Sequence, residues 1–160
     1  MSVRLPPFQS LLDAHGGDVH RFLIATVGRT DADDCYQETW LAALRAYPQL
    51  RDSTNLRGWL FTIAHRKAID QIRGRARRAT PVADPAELAQ PVTAPAAAHP
   101  DGDLWSAVAA LPDKQRAAVA LRFIADSGYA EIAGALDCSE EAARRSVHEG
   151  LKRLRREHQR

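Results

Sequence analysis

Cysteine is almost missing from this sequence, and with it go most marks of a secreted or metal-dependent protein. The 160 residues hold two cysteines, Cys35 and Cys138, far apart and each inside a helical pattern. That excludes a disulfide framework and a multi-cysteine zinc site, and it fits a reducing compartment. No apolar run approaches the roughly 18 residues that span a bilayer, and the N-terminus carries no signal-peptide core. A cytoplasmic protein without membrane insertion is expected. Alternating strand patterns and internal repeats are lacking as well, which leaves an all-α fold. Catalytic constellations are equally scarce. The nearest candidate is HGGDVH, where His15, Asp18 and His20 could supply metal ligands, but Gly16 and Gly17 more simply join two helices. With Cys35 read as a small buried residue, neither enzyme activity nor cofactor nor metal is expected.

What the chain does have is charge, sorted by sign. Its formal net charge is only +2, yet segregation says more about partners than the total does. Asp31 to Leu41 contains four acids and no Lys or Arg, whereas Arg57 to Arg78 contains seven bases and one acid. Arg144 to Arg160 contains seven bases and two acids. One acidic and two basic patches imply two kinds of partner surface.

Residues 79 to 102 carry five prolines, many alanines and three acids, Asp84, Glu87 and Asp101, with no Lys or Arg. Repeated proline blocks continuous helix, so this segment reads as a linker between two small helical domains, residues 1–78 and 103–160. In the first, apolar spacing predicts helices near Pro7–His15, Asp18–Val27, Asp31–Tyr47 and Asn55–Arg77. In the second, Pro112 suits the first position of a helix running to about Ala125. Beyond it, Tyr129, Ile132, Ala133 and Leu136 share one helical face. A break at Asp137 and Cys138 separates them from a second series, Ala143, Val147, Leu151 and Leu154. This is a helix-turn-helix pattern, with Ser139 as N-cap and Glu140 and Glu141 at the positive end of the second helix dipole.

Three faces carry candidate chemistry. In DADDCYQETWLAALRAY, Tyr36, Trp40, Leu44 and Tyr47 line up as a buried stripe, leaving a base-free acidic face that repels nucleic acid and suits a basic protein surface. In NLRGWLFTIAHRKAIDQIRGRARR, Leu60, Ala64, Ala68 and Ile72 form a core line. Thr62, Arg66, Asp70, Arg73 and Arg77 form a polar one, with Asp70 expected to orient an arginine. Trp59 or Phe61 could stack on an unpaired base while the other joins the core. On the last helix, Glu141, Arg145, His148 and Lys152 project away from the apolar series, as a major-groove face requires.

These segments, in this order, resemble the extracytoplasmic-function group of bacterial sigma factors, small members of the sigma-70 superfamily. DADDCYQETWLAALR resembles the family's core-polymerase-binding helix, and LRGWLFTIAHRKAIDQIR the helix that opens and reads the minus-10 promoter element. ALPDKQRAAVALRF with the helix-turn-helix is similar to the minus-35 recognition domain. The resemblance implies that Asp33, Asp34, Gln37 and Glu38 meet core polymerase. By the same token Trp59, Phe61, Arg66, Asp70, Arg73 and Arg77 act at the minus-10 element, and Glu141, Arg144, Arg145, His148, Lys152 and Arg153 at the minus-35 element. Core RNA polymerase and promoter DNA are the implied partners, an anti-sigma protein a further one, and the free chain is expected to be monomeric. Arg66 stands where the family commonly has Asn, and Gly128 where it has Ser. The common Gly-Thr-Val-Lys-Ser-Arg pattern becomes Glu141 to Ser146, so these departures bear on promoter preference. A stand-alone helix-turn-helix regulator is the alternative, but it has no use for the acidic helix or the aromatic-basic one. A protein-only adaptor leaves both basic helices unexplained.

Overall fold

The computed structural model describes residues 4–79 and 102–159, and every regular element among them is helical. The first half holds α1 (Phe8–Val27), α2 (Arg29–Ala46) and α3 (Leu56–Ala79), with one 3-10 turn at Tyr47–Gln49. The second holds α4 (Gly102–Ala109), α5 (Asp113–Phe123), α6 (Tyr129–Leu136) and α7 (Glu140–His158). Most of the proline-rich segment, residues 80–101, lies outside the described residues.

Two expected helices turn out to be one, because α1 runs straight through Gly16 and Gly17. Glycine weakens a helix interior without forbidding it, and packing decides the outcome. Gly16 is buried where a Cβ would lie 2.9 Å from the Tyr36 hydroxyl, so its role is close approach between α1 and α2. The real break comes at Gly28. Its φ of 86° is a left-handed conformation that side chains resist, and its amide closes α1 on the Ile24 carbonyl at 3.0 Å. Asn55 starts α3 by accepting from the Gly58 amide at 2.9 Å, as an N-cap side chain does.

Val19, Phe22 and Leu23 from α1, Ala32, Cys35, Thr39 and Ala43 from α2, and Leu60, Phe61, Ala64 and Ala68 from α3 fill the first core. Leu44, expected in the buried stripe, is instead 51% exposed. At about 100° per residue it lies well off the line of Ala32, Thr39 and Ala43 that defines the buried face. Trp40 and Tyr47 of the expected stripe are buried, and beside Trp40 it is small residues that mark the inside of this helix.

In the second half α4 precedes the expected helix, a short element that the sequence reading missed, and Pro112 caps α5 instead of opening it. Five successive residues of α5, Ala117 to Leu121, are buried, so neighbours cover it on every side. One of these is α7, admitted by Gly150, where a Cβ would come within 2.6 Å of Val119 Cγ2. Asp137 ends α6 in the left-handed conformation with φ of 54°, and Ser139 accepts from the Ala142 amide at 3.1 Å to start α7. The expected turn and cap of the helix-turn-helix are both present. The halves are in contact: α1 packs on α4 and α5, α3 meets α6, and one continuous apolar cluster joins both sides.

Candidate nucleic-acid and protein interfaces

Asp33, Asp34, Gln37 and Glu38 are all exposed on α2. Asp31 is withdrawn from that face by an ion pair with Arg75, and Asp33 meets His20 Nε2 at 3.0 Å. Beside the acids lies an open apolar groove of about 370 Å³, lined by Phe8, Leu12, Tyr36, Trp40, Leu41 and Leu44. Leu41 and Leu44 are half exposed there. The sequence reading found the acids and missed the groove. Its signal was available, because both leucines fall off the helical line of small buried residues. Under this face Cys35 is buried, and burial, followed by the carboxylates of Asp31, Asp34 and Glu38, pushes its thiol up to about 11. It is no nucleophile at neutral pH.

On α3 the two aromatics part company. Phe61 is 1% exposed, with Phe22 edge-on at 5.6 Å and the Arg57 guanidinium over its ring at 5.0 Å. Phe61 is therefore a core residue and not the DNA contact that the sequence suggests, since a ring packed on two sides has no face left for a base. Trp59 is half-buried, with its ring 6.1 Å from Tyr47, and keeps part of its surface in solvent. Arg66, Asp70, Arg73 and Arg77 are exposed along one line of the helix. Among the described residues Asp70 has no ion-pair partner, so the expected arginine-orienting pair is not formed. Both basic neighbours, one turn away or less, stay free for another anion.

His65 lies on the other side of α3 and is 3% exposed. Burial, reinforced by the neighbouring Arg66 charge, lowers its imidazole to about 4. The folded protein thus holds it neutral, while the unfolded chain protonates it near the ordinary 6.5. Stability is fully present above that value and is lost as pH falls toward 4, by about 3 kcal/mol in total. Urea unfolding at pH 7 and pH 4.5 tests this: His65→Leu should remove most of the difference that is specific to this side chain. An equal acid sensitivity in the two proteins would refute it.

On α7 the buried side is Ala143, Val147 and Gly150, and Glu141, Arg144, Arg145, His148, Lys152 and Arg153 are exposed. Arg145 approaches Glu141 at 3.8 Å, an exposed pair one turn apart that holds it only weakly. Arg144 is engaged differently. Its guanidinium lies 4.9 Å from the centre of the Tyr129 ring, and Arg122 lies 4.6 Å from the same ring. The residues of HGGDVH do not converge as ligands. His15 and Asp18 meet Arg57 at 3.2 Å, whereas His20 turns to Asp33. Burial alone would raise the Asp18 carboxyl, but hydrogen bonds from Arg21 and Arg57 outweigh it and hold the group below its usual value.

Comparison with known proteins follows the same division. The Sigma-70 region 2 family matches residues 11–78, and the Sigma-70, region 4 family matches residues 101–154. The ECF RNA polymerase sigma factor SigX of Bacillus subtilis is 28% identical over 159 residues, covering 93% of this chain and 82% of the relative. RNA polymerase sigma factor CarQ of Myxococcus xanthus is 30% identical over 155 residues, covering 92% and 87%. The fold is similar to that of sigma factor RpoE in its complex with the anti-sigma factor NepR from Bartonella quintana. That likeness has a TM-score of 0.78 at 21% identity, over 97% of this chain and 98% of the other. CnrH, solved in complex with the cytosolic domain of CnrY, gives 0.67 at 23% identity, over 92% and 84%. Regions 2 and 4 in this order on an all-helical chain define a sigma-70 family protein. The chain belongs to the extracytoplasmic-function group of these RNA polymerase sigma factors, which direct transcription initiation. No helix among the described residues is long and apolar enough to cross a membrane.

Proposed function

We propose that residues 1–78 dock on core RNA polymerase and open the minus-10 element, that residues 103–160 read the minus-35 element, and that residues 79–102 link the two. The chain then works in the cytoplasm as a non-enzymatic specificity subunit: polymerase adds nucleotides, and this protein chooses where. The observation that carries this reading is the separation of outward charge. The acidic face of α2 and the basic faces of α3 and α7 are joined by a single ion pair among the described residues, Asp31 with Arg75. Apart from Asp33 with His20, Arg57 with Asp18 and the weak pair of Arg145 with Glu141, the remaining charge of these faces is left for external partners. Asp33, Asp34, Gln37 and Glu38 meet a basic polymerase surface, with Leu41 and Leu44 supplying apolar contact beside them. Trp59 holds an unstacked base while Arg66, Arg73 and Arg77 neutralise the nearby backbone. An anti-sigma protein would compete for these same faces.

On α7, Arg145 is freest to reach base edges, because Arg144 already lies on Tyr129. A bidentate contact to guanine is worth about 1 to 3 kcal/mol of discrimination. Arg145→Ala should therefore reduce preference for the cognate minus-35 duplex by roughly 10- to 100-fold in competition binding. Lys152 and Arg153 contact phosphates, and losing either should flatten the salt dependence by about one unit of slope. Unchanged sequence preference in Arg145→Ala would show that the reading face is wrongly placed. The whole assignment is tested by capture of core RNA polymerase followed by run-off transcription. A chain that binds promoter duplex but neither captures polymerase nor supports transcription would be a stand-alone regulator instead.

A further inference from the structure

Five aromatic rings run in an unbroken row from the groove on the docking face to Trp59. Tyr36 and Trp40 of α2 stand 6.0 Å apart between ring centres, Trp40 and Phe8 5.8 Å, Phe8 and Tyr47 5.2 Å, and Tyr47 and Trp59 6.1 Å. The first three contacts are edge-on, an arrangement that ring quadrupoles favour, and the last is tilted at 42°. Tyr47 is held from the most sides. Its amide closes α2 on the Ala43 carbonyl, its own carbonyl accepts from the Leu50 amide at 3.1 Å, and Pro48 stiffens the turn that follows. Its hydroxyl donates to the Pro6 carbonyl, and the residue is only 8% exposed. Backbone, hydroxyl and ring are thus fixed by separate contacts.

We propose that Tyr47 is a positioning residue for base capture: it braces the inner side of Trp59, so that the outer side is already set when a minus-10 base unstacks. The inference rests on the base-holding role given above for Trp59. A tryptophan left free on a surface has to be ordered when a base stacks on it, and that ordering subtracts from the stacking energy. One packed against a fixed ring avoids most of the loss, which is what preorganisation means for binding. Tyr47 offers almost no surface of its own to a base, so it acts through Trp59. The two residues flank one loop. Trp59 lies in the first turn of α3, where its amide donates to the Asn55 carbonyl at 3.1 Å, and Tyr47 lies at the end of α2. The brace therefore ties both ends of the connection between α2 and α3 to the ring that meets the base.

Two measurements test the brace, one without any partner. In the free full-length chain labelled with nitrogen-15, the indole signal lost in Trp59→Phe identifies residue 59. Its order parameter should lie near the value of about 0.85 typical of rigid backbone, and Tyr47→Leu should lower it. A wild-type value under about 0.6 overturns the brace even if the leucine variant does not fold. The second measurement uses holoenzyme and a minus-10 non-template strand carrying 2-aminopurine, whose fluorescence falls when it stacks on an indole. Tyr47→Leu should weaken capture of that strand by about 5- to 10-fold, the effect of ordering one large side chain, with core affinity unchanged. Tyr47→Phe keeps the ring and should restore most of the loss, together with the Trp59 order parameter. Trp59→Ala separates the two readings. Unchanged quenching in Trp59→Ala would remove Trp59 from base capture and the proposal with it. A loss in Trp59→Ala with none in a folded Tyr47→Leu would leave Trp59 in its role and remove only the brace.

Discussion

Arg116→Ala lowers the unfolding free energy of the chain by about 2 to 3 kcal/mol, the expected cost of removing a charged donor from a part-buried hydrogen-bond network. The side chain is 15% exposed and its guanidinium donates to four backbone carbonyls, with Ala109 and Leu111 the nearest at 2.9 and 2.8 Å. Asp113, at 3.2 Å, balances its charge. The carbonyls of Val108, Ala109 and Leu111 belong to the end of α4 and the turn after it; that of Val108 also accepts from the Leu111 amide at 3.1 Å, and the guanidinium serves all three. Alanine takes this donor from all three, and of them Leu111 is the one that solvent reaches least while Ala109 is exposed. Lysine recovers only part of the loss, since one ammonium cannot cover the span of a planar fork. Urea denaturation followed by circular dichroism measures the effect, and a loss under about 1 kcal/mol would mean that water replaces the guanidinium at no great cost.

Reversing Asp34 and Glu38 to lysine weakens capture of core RNA polymerase by roughly 100-fold, because placing like charges together at an interface costs several kcal/mol where opposite ones guided docking. Both side chains are exposed and neither has an ion-pair partner among the described residues, so the fold loses nothing in the exchange. That separates this variant from one at Asp31, whose carboxylate ties α2 to Arg75 of α3. Helicity and thermal stability should match wild type. Raising salt should weaken wild-type binding and narrow the gap between the two proteins, as screening of exposed charge requires. A folded double variant that captures polymerase with wild-type affinity would remove α2 from the docking surface. Leu41→Ser and Leu44→Ser, tested alongside, report the apolar part of the same face.

Much of this could be read along the chain. Helical spacing placed α2, α3, α6 and α7 within a few residues, and Ser139 and Asp137 marked the helix-turn-helix because capping chemistry is local. Segregated charge located the three outward faces, since exposed charge has no alternative but solvent or a partner. The misreadings share one cause. Gly16 and Gly17 looked like a break, yet Gly16 is small because Tyr36 of another helix presses on it. Phe61 and Trp59 are equally apolar and two residues apart, and only the position of Phe22 and Arg57 buries the first and spares the second. Leu44 was taken for core with Trp40, yet Trp40 is buried and Leu44 is not, and Ala32, Cys35, Thr39 and Ala43 complete the buried side.

By itself, then, the sequence determined the helical class, the two-part order, the turn and cap of the helix-turn-helix, and the sign of each exposed face. All of these depend on side chains within about one helical turn of each other or on local charge. Tertiary structure alone decided which aromatic is free, where glycine serves as a contact, and what Arg57 and Arg116 hold. Those arginines bond to backbone carbonyls up to 90 residues away. Every residue carries a carbonyl, so nothing in the letters distinguishes Thr26 or Ala125 as a partner; only the packing of α1 and α3 against α5 brings donor and acceptor together.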